Sequence, residues 1–238
     1  MRLKLVLVFI AIIIVLGGCQ MPNKNPSTQT EGEQEELKPA DMDDEDLPDV
    51  RAFKDEFTRG FLQSTEETRP GYYPFSSATG AYKMDFPAEG KIGEKSYNIK
   101  NKSYEGVSIG VGNEQSDITH TIKVKYYNHL SDELKESRLG QMESNIGMDL
   151  EFEEKTSENQ TLYLAPYQHA EEEYNKDIYG FAALILNEKK LGGIQIIYTS
   201  HCANNCGELK EMDMKQAQEW LKSVSFLEGL KDSDGNAR

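Results

Sequence analysis

The sequence predicts an α+β protein, an antiparallel sheet covered by helices, carried behind an acidic tether. Two observations lead to this class. Strand-like segments fall into two runs, residues 81–127 and 149–200, with no helices alternating between the strands of either run, which favours antiparallel pairing over βαβ units. Helical spacing of apolar residues is confined to three places, near residues 50–61, 131–146 and 214–227. The tether is inferred separately, from the abrupt change in composition near residue 50.

The chain opens with Arg2 and Lys4, an unbroken apolar run from Leu5 to Leu16, then Gly17, Gly18 and Cys19. That order of positive start, apolar stretch and small residues is a signal peptide, residues 1–18. The run is shorter than the roughly 20 apolar residues a membrane-spanning helix needs. Leu16-Gly17-Gly18-Cys19 resembles the bacterial lipobox. The resemblance implies diacylglycerol on the Cys19 thiol, cleavage before Cys19 and anchoring to the membrane by two acyl chains, enough for a stable anchor.

Residues 19–49 read as the tether. They hold Pro22, Pro26, Pro39 and Pro48, no aromatic residue, and ten acids against Lys24 and Lys38. A segment with so little to bury is expected to be disordered and dispensable for folding. "DMDDEDLPD" has alternating carboxylates, but it lacks the glycine turn and distal glutamate of an EF-hand loop and reads as a solvated acidic run.

Residues 50–228 read as one domain, large enough to bury a core, and residues 229–238 as a disordered tail. Val50, Phe53, Phe57 and Phe61 recur at helical spacing after Pro48-Asp49, predicting one capped amphipathic helix. Strands are predicted at 81–87, 96–102, 104–112 and 118–127. Ser131 is placed as the cap of a helix running to Ile146 with Leu134, Met142 and Ile146 inward. Strands resume at 149–155, 161–169, 178–187 and 192–200, the last pair forming a hairpin that turns at Asn187 to Lys190. A final helix puts Ala217, Trp220, Leu221 and Val224 on one face ahead of a short closing strand.

This order of meander, helix, meander and terminal helix is similar to the PsbP/Mog1-like α/β/α sandwich. "MDDEDLPDVRAF", "STEETRPGYYPF", "YKMDFP" and the closing "SVSFL" resemble segments of YvcA-type lipoproteins of low-GC Gram-positive bacteria. That resemblance implies a membrane-tethered surface lipoprotein and transfers no catalytic motif.

The formal charge is −15, and more negative by two once residues 1–18 are removed with Arg2 and Lys4. Such a chain repels phosphate polymers, so nucleic acid is excluded as a non-specific partner, and direct contact with anionic lipid heads or teichoic acids is disfavoured unless cations bridge. No motif calls for a cofactor. "GVSIG" (106–110) matches the G-x-S-x-G of serine hydrolases, but Val107, Ile109 and Val111 alternate as in a strand and no helix follows, so Ser108 is read as a strand residue. His120, His129, His169 and His201 have no paired metal-ligand spacing. His120 reads as a surface or cross-strand side chain, and His169 precedes the acids Glu171 to Glu173.

With Cys19 committed to lipid, Cys202 and Cys206 are an even pair in an oxidising compartment. Their spacing puts the α-carbons about 6 Å apart in a helical turn, within the range of a disulfide. The disulfide is the expected reading; a metal site with His201 and a pair of free thiols are the alternatives. The pairs Tyr72-Tyr73 and Tyr126-Tyr127 are candidate binding residues, because alternation turns one member of each outward. The expected function is a non-enzymatic binding or interaction domain, lipid-anchored on the extracytoplasmic face and partnered by a protein or envelope component. The alternatives are an envelope hydrolase with an unrecognised site and an accessory subunit of a membrane complex.

Overall fold

The computed structural model describes residues 37–112, 116–171, 176–203 and 206–227. The signal peptide, Cys19, most of the tether and the tail lie outside the described residues. The elements are α1 (Arg51–Lys54), α2 (Glu56–Arg59), β1 (Tyr72–Ser76), β2 (Tyr82–Pro87), β3 (Gly90–Ile92), β4 (Asn98–Lys100), β5 (Tyr104–Val111), β6 (Ile118–Tyr127), α3 (Lys135–Ile146), β7 (Glu153–Thr156), β8 (Gln160–Glu171), β9 (Lys176–Asn187), β10 (Gly193–Cys202), α4 (Gly207–Leu221) and β11 (Ser225–Phe226). The class is α+β, as the sequence predicts.

The large sheet has the order β3-β5-β6-β10-β9-β8-β7, with β4 also on β5, and the small sheet the order β1-β2-β11; the pairings are antiparallel. β9 and β10 form the predicted hairpin at the centre. β9 is apolar on both faces because both are covered. Phe181, Ala183 and Ile185 face α4 and the small sheet, and Ala182, Leu184 and Leu186 face α3. At Gly180 a Cβ would lie 1.8 Å from the carbonyl oxygen of Tyr198, so only glycine admits this approach of β9 to β10.

The small sheet, α1, α2 and α4 share one core with the near face of the large sheet. Trp220 is fully buried there, and its indole N–H donates to the carbonyl oxygen of Asp85 at 2.7 Å. The Ser223 hydroxyl accepts from the Asp85 N–H at 3.0 Å, so the end of α4 is fastened to β2 twice. The β1–β2 turn is held from the large sheet by Glu105. Its carboxyl, wholly buried, accepts from the N–H groups of Ala78 (3.0 Å) and Thr79 (3.3 Å) and from the hydroxyls of Thr79 (3.0 Å) and Tyr97 (3.2 Å).

Several expectations are corrected. The single helix across Val50 to Phe61 is two short ones, because Asp55 is extended and its carboxylate accepts from the Thr58 N–H at 3.0 Å and hydroxyl at 2.6 Å, capping a new helix. Ser131 makes no side-chain cap; a 3-10 turn over Asp132–Leu134 intervenes, and its tighter winding leaves Leu134 exposed while Leu139 and Met142 point inward. β1 was hidden in the sequence by Pro74, which an edge strand tolerates.

The domain also begins earlier than residue 50. Pro39–Asp41 and Asp44–Asp46 form 3-10 turns, Pro39 is buried, Leu47 packs on the main core, and Asp44 pairs with Arg59 at 2.5 Å. The acids that suggested a solvated tether occupy the outer sides of these turns, while the few apolar residues between them face inward.

Two predictions follow from this packing. Deleting residues through Asp49 uncovers the site of Leu47, a loss of about 1–2 kcal/mol. At about 2–4 °C per kcal/mol for a domain of this size, its Tm should fall measurably below that of a chain starting at Leu37. Glu105→Ala removes the acceptor of four donors and should cost about 3 kcal/mol, read from the urea midpoint. An unchanged midpoint would mean the β1–β2 turn does not depend on that carboxyl.

Candidate functional site

Three features stand out on the domain, of which the first is a polar cluster beneath α4. Register places His120 opposite Ser200 and Ser200 opposite Tyr179, side by side on the face that α4 covers. Asp213 comes down from α4 to meet them. The Ser200 hydroxyl donates to Asp213 Oδ2 at 2.8 Å, His120 Nδ1 lies 3.1 Å from Ser200 Oγ, and His120 Nε2 lies 3.5 Å from Asp213 Oδ1.

The residue types are those of a serine hydrolase, but the connectivity is not. A nucleophilic serine presents its proton to the histidine and its oxygen to substrate. Here the proton goes to the carboxylate and Ser200 is 0% exposed. With that hydroxyl proton committed, Nδ1 must carry the proton shared with Ser200. The arrangement clamps α4 onto β6 and β10. Burial pushes the His120 imidazole below its ordinary value, Asp213 pulls it back up, and nearby His201 lowers it further.

The second feature is the disulfide joining Cys202, the last residue of β10, to Cys206, which precedes α4; the α-carbons are 6.1 Å apart. Both cysteines are buried against Tyr179. The bond removes the thiolates a metal site would need, and strand alternation points His201 to the opposite face from Cys202. Among the described residues no group of three His, Cys, Asp or Glu is placed to hold a metal ion. Ser108 lies in β5 on the face away from His120, opposite Lys123. His129 is exposed beside Tyr127, at 6.2 Å between ring centroids, and His169 lies in β8, while the side chains of Glu171 to Glu173 lie outside those described.

Of the tyrosine pairs, Tyr73 and Tyr126 are buried in the core and are not available to a ligand. Tyr72 and Tyr127 are the outward members, and each carries an arginine: Arg69 lies 3.5 Å over the Tyr72 ring and Arg138 4.0 Å over Tyr127. One face of each ring is therefore occupied from within the chain.

The third feature, missed from the sequence, is an open cleft of about 880 Å³ between Lys38, the α2 segment, the end of β1 and Glu94. Phe57 and Phe61 form its apolar wall, backed edge-on by Tyr97 at 5.4 and 5.2 Å. Asp55, Glu56 and Glu94 supply carboxyls. Burial pushes the Asp55 carboxyl up, but its bonds to Lys91 at 2.7 Å and to Thr58 outweigh this and hold it below the usual range. Aromatic wall and carboxylate rim suit a hydroxyl-rich or cationic group. No local motif announces the cleft, because its walls come from residues 38 to 94. The clamp had one sequence signal: Asp213 sits on the same helical stripe as Ala217, Trp220 and Leu221, an acid where an apolar residue belongs.

The sequence profile of the family described as "Putative lipoprotein YvcA" matches residues 48–225. The chain belongs to that family. One YvcA relative, "Putative lipoprotein YvcA" of Bacillus subtilis (strain 168), is 26% identical over 234 residues, covering 94% of this chain and 97% of the relative. No solved structure matches the chain. The YvcA profile begins one residue after Leu47, so the match takes in the domain from its first packed helices to β11. No helix among the described residues is long and apolar enough to cross a membrane.

The clamp predicts a pH dependence. A histidine held below its unfolded value of about 6.5 leaves the folded state binding fewer protons than the unfolded one, so stability falls as pH drops below that value. His120→Asn should lose less melting temperature between neutral and mildly acidic pH than the wild type. Parallel curves would show that His120 does not titrate against the fold.

Proposed function

We propose that this protein is a lipid-anchored extracytoplasmic domain that binds a protein or cell-envelope component and catalyses no reaction. The observation that carries the reading is the Leu16-Gly17-Gly18-Cys19 box ahead of a domain whose family is described as lipoprotein. Diacylglycerol on Cys19 would hold the domain at the outer face of the membrane. The open cleft supports a binding role, since it offers stacking surface and hydrogen-bond acceptors. The hydrolase alternative loses support from the Ser200 clamp, whose hydroxyl is buried and gives its proton to Asp213 and not to the histidine.

Two measurements test this. Cys19→Ala should abolish incorporation of radiolabelled fatty acid and move the protein out of the membrane fraction; equal labelling of variant and wild type removes the anchor. A photo-crosslinking residue at Glu56 or Glu94 in intact cells should capture a discrete partner that the same residue at exposed Lys83 does not. Identical patterns from all three positions would remove the cleft from the reading.

A further inference from the structure

A second cavity lies away from the cleft, where two hairpin turns of the large sheet meet the chain after α4. It measures about 500 Å³. Lys189, Lys190 and Lys222 line it together with Asn159, and Phe226 and Leu227 supply apolar surface. In a chain with 41 acids and 26 bases, its described lining residues include no acidic side chain, a trait shared by a small cavity of about 70 Å³ beside Lys123 and Lys125. Three other cavities, of about 880, 420 and 380 Å³, each carry three carboxyls.

The lysine-bearing turn is fixed from below. Asn187 Oδ1 accepts from the N–H groups of Lys189 at 2.8 Å and Lys190 at 3.2 Å, and the Glu188 N–H donates to the Asn159 carbonyl at 3.0 Å. The Glu188 carboxyl is drawn aside by the Thr161 hydroxyl at 2.6 Å. Lys190 Nζ reaches the carbonyl of Leu227 at 3.2 Å, and Lys222 shares one hydrogen bond with Glu219 at 2.7 Å. An ammonium has three donors, so both of these lysines keep capacity for a ligand.

We propose that this cavity binds a phosphate-bearing amphiphile: an anionic head against the lysines and Asn159, a short apolar part against Phe226 and Leu227. The net negative charge of the chain does not forbid it, because exposed charges beyond about 10 Å are screened at 0.1 M salt while the lysines act at contact. The same chemistry is offered by a phospholipid headgroup and by a soluble phosphate ester.

The test is lysine acetylation footprinting, read by mass spectrometry, on the full chain in phosphatidylcholine nanodiscs. Hexyl phosphate should slow acetylation of Lys189, Lys190 and Lys222 selectively, with Lys100, Lys102 and Lys123 unchanged, and inorganic phosphate should protect at higher concentration. Protection without added ester in phosphatidylglycerol nanodiscs names the lipid as the source; protection by the soluble ester alone names a free ligand. Lys189→Gln with Lys222→Gln should raise the half-protecting concentration at Lys190 about tenfold. Asn159→Asp, which adds a carboxyl to the cavity, should act in the same direction, with melting curves checking that each variant is folded. No selective protection in either lipid, or protection at Lys190 untouched by both variants, overturns the proposal. The soluble arm does not depend on the anchor or on the cleft, so its failure is separate from theirs.

Discussion

The close pairing of β9 with β10 organises the rest of the domain. These strands run at the centre of the large sheet with apolar side chains on both faces, so each face must be covered for the hairpin to persist. α3 covers one, and the small sheet with α4 covers the other. Gly180 is where the requirement is most severe, since the backbone of β10 occupies the space a side chain would need. A strand that cannot move outward there fixes the neighbouring register. That register sets Tyr179, Ser200 and His120 in a row and brings Cys202 to the end of β10, within bonding distance of Cys206.

Polar groups near this core are arranged for holding rather than for reaction. Ser200 links His120 to Asp213 across β6, β10 and α4, and Glu105 collects donors from the β1–β2 turn. Each joins elements far apart in sequence, where an unpaired polar group would carry a desolvation penalty. At the surface lie one cleft rimmed by carboxyls and another cavity lined by lysines. Such opposed local charge suits different chemical partners, and the net charge of the chain foreshadows the first but not the second.

Much of the fold was legible in the sequence because its central features are local. The apolar runs 178–187 and 192–200 with a short polar turn specify a hairpin, and Ala217, Trp220 and Leu221 mark the buried face of α4. The cysteine pair, four residues apart, was equally readable. What escaped depended on competition or distance. Asp55 competes for the backbone N–H of Thr58 and divides a helix that periodicity had joined. Leu134 lost its inward position to a 3-10 turn that hydrophobic spacing does not register. Pro39 and Leu47 are too few among acids to signal packing, and only the folded domain gives them something to pack against. The clamp and both cavities join residues from distant parts of the chain, which no single stretch could announce.

The packed segment before α1 has a mechanical consequence. Tension arriving along the chain from its N-terminal side would meet the Asp44–Arg59 pair, the buried Pro39 and the partly buried Leu47 before any strand. Contacts of that kind stand outside the hydrogen-bonded ladders and belong to the less stable end of the fold. Were the chain pulled from that side, this segment would yield ahead of the sheet and spare its pairing.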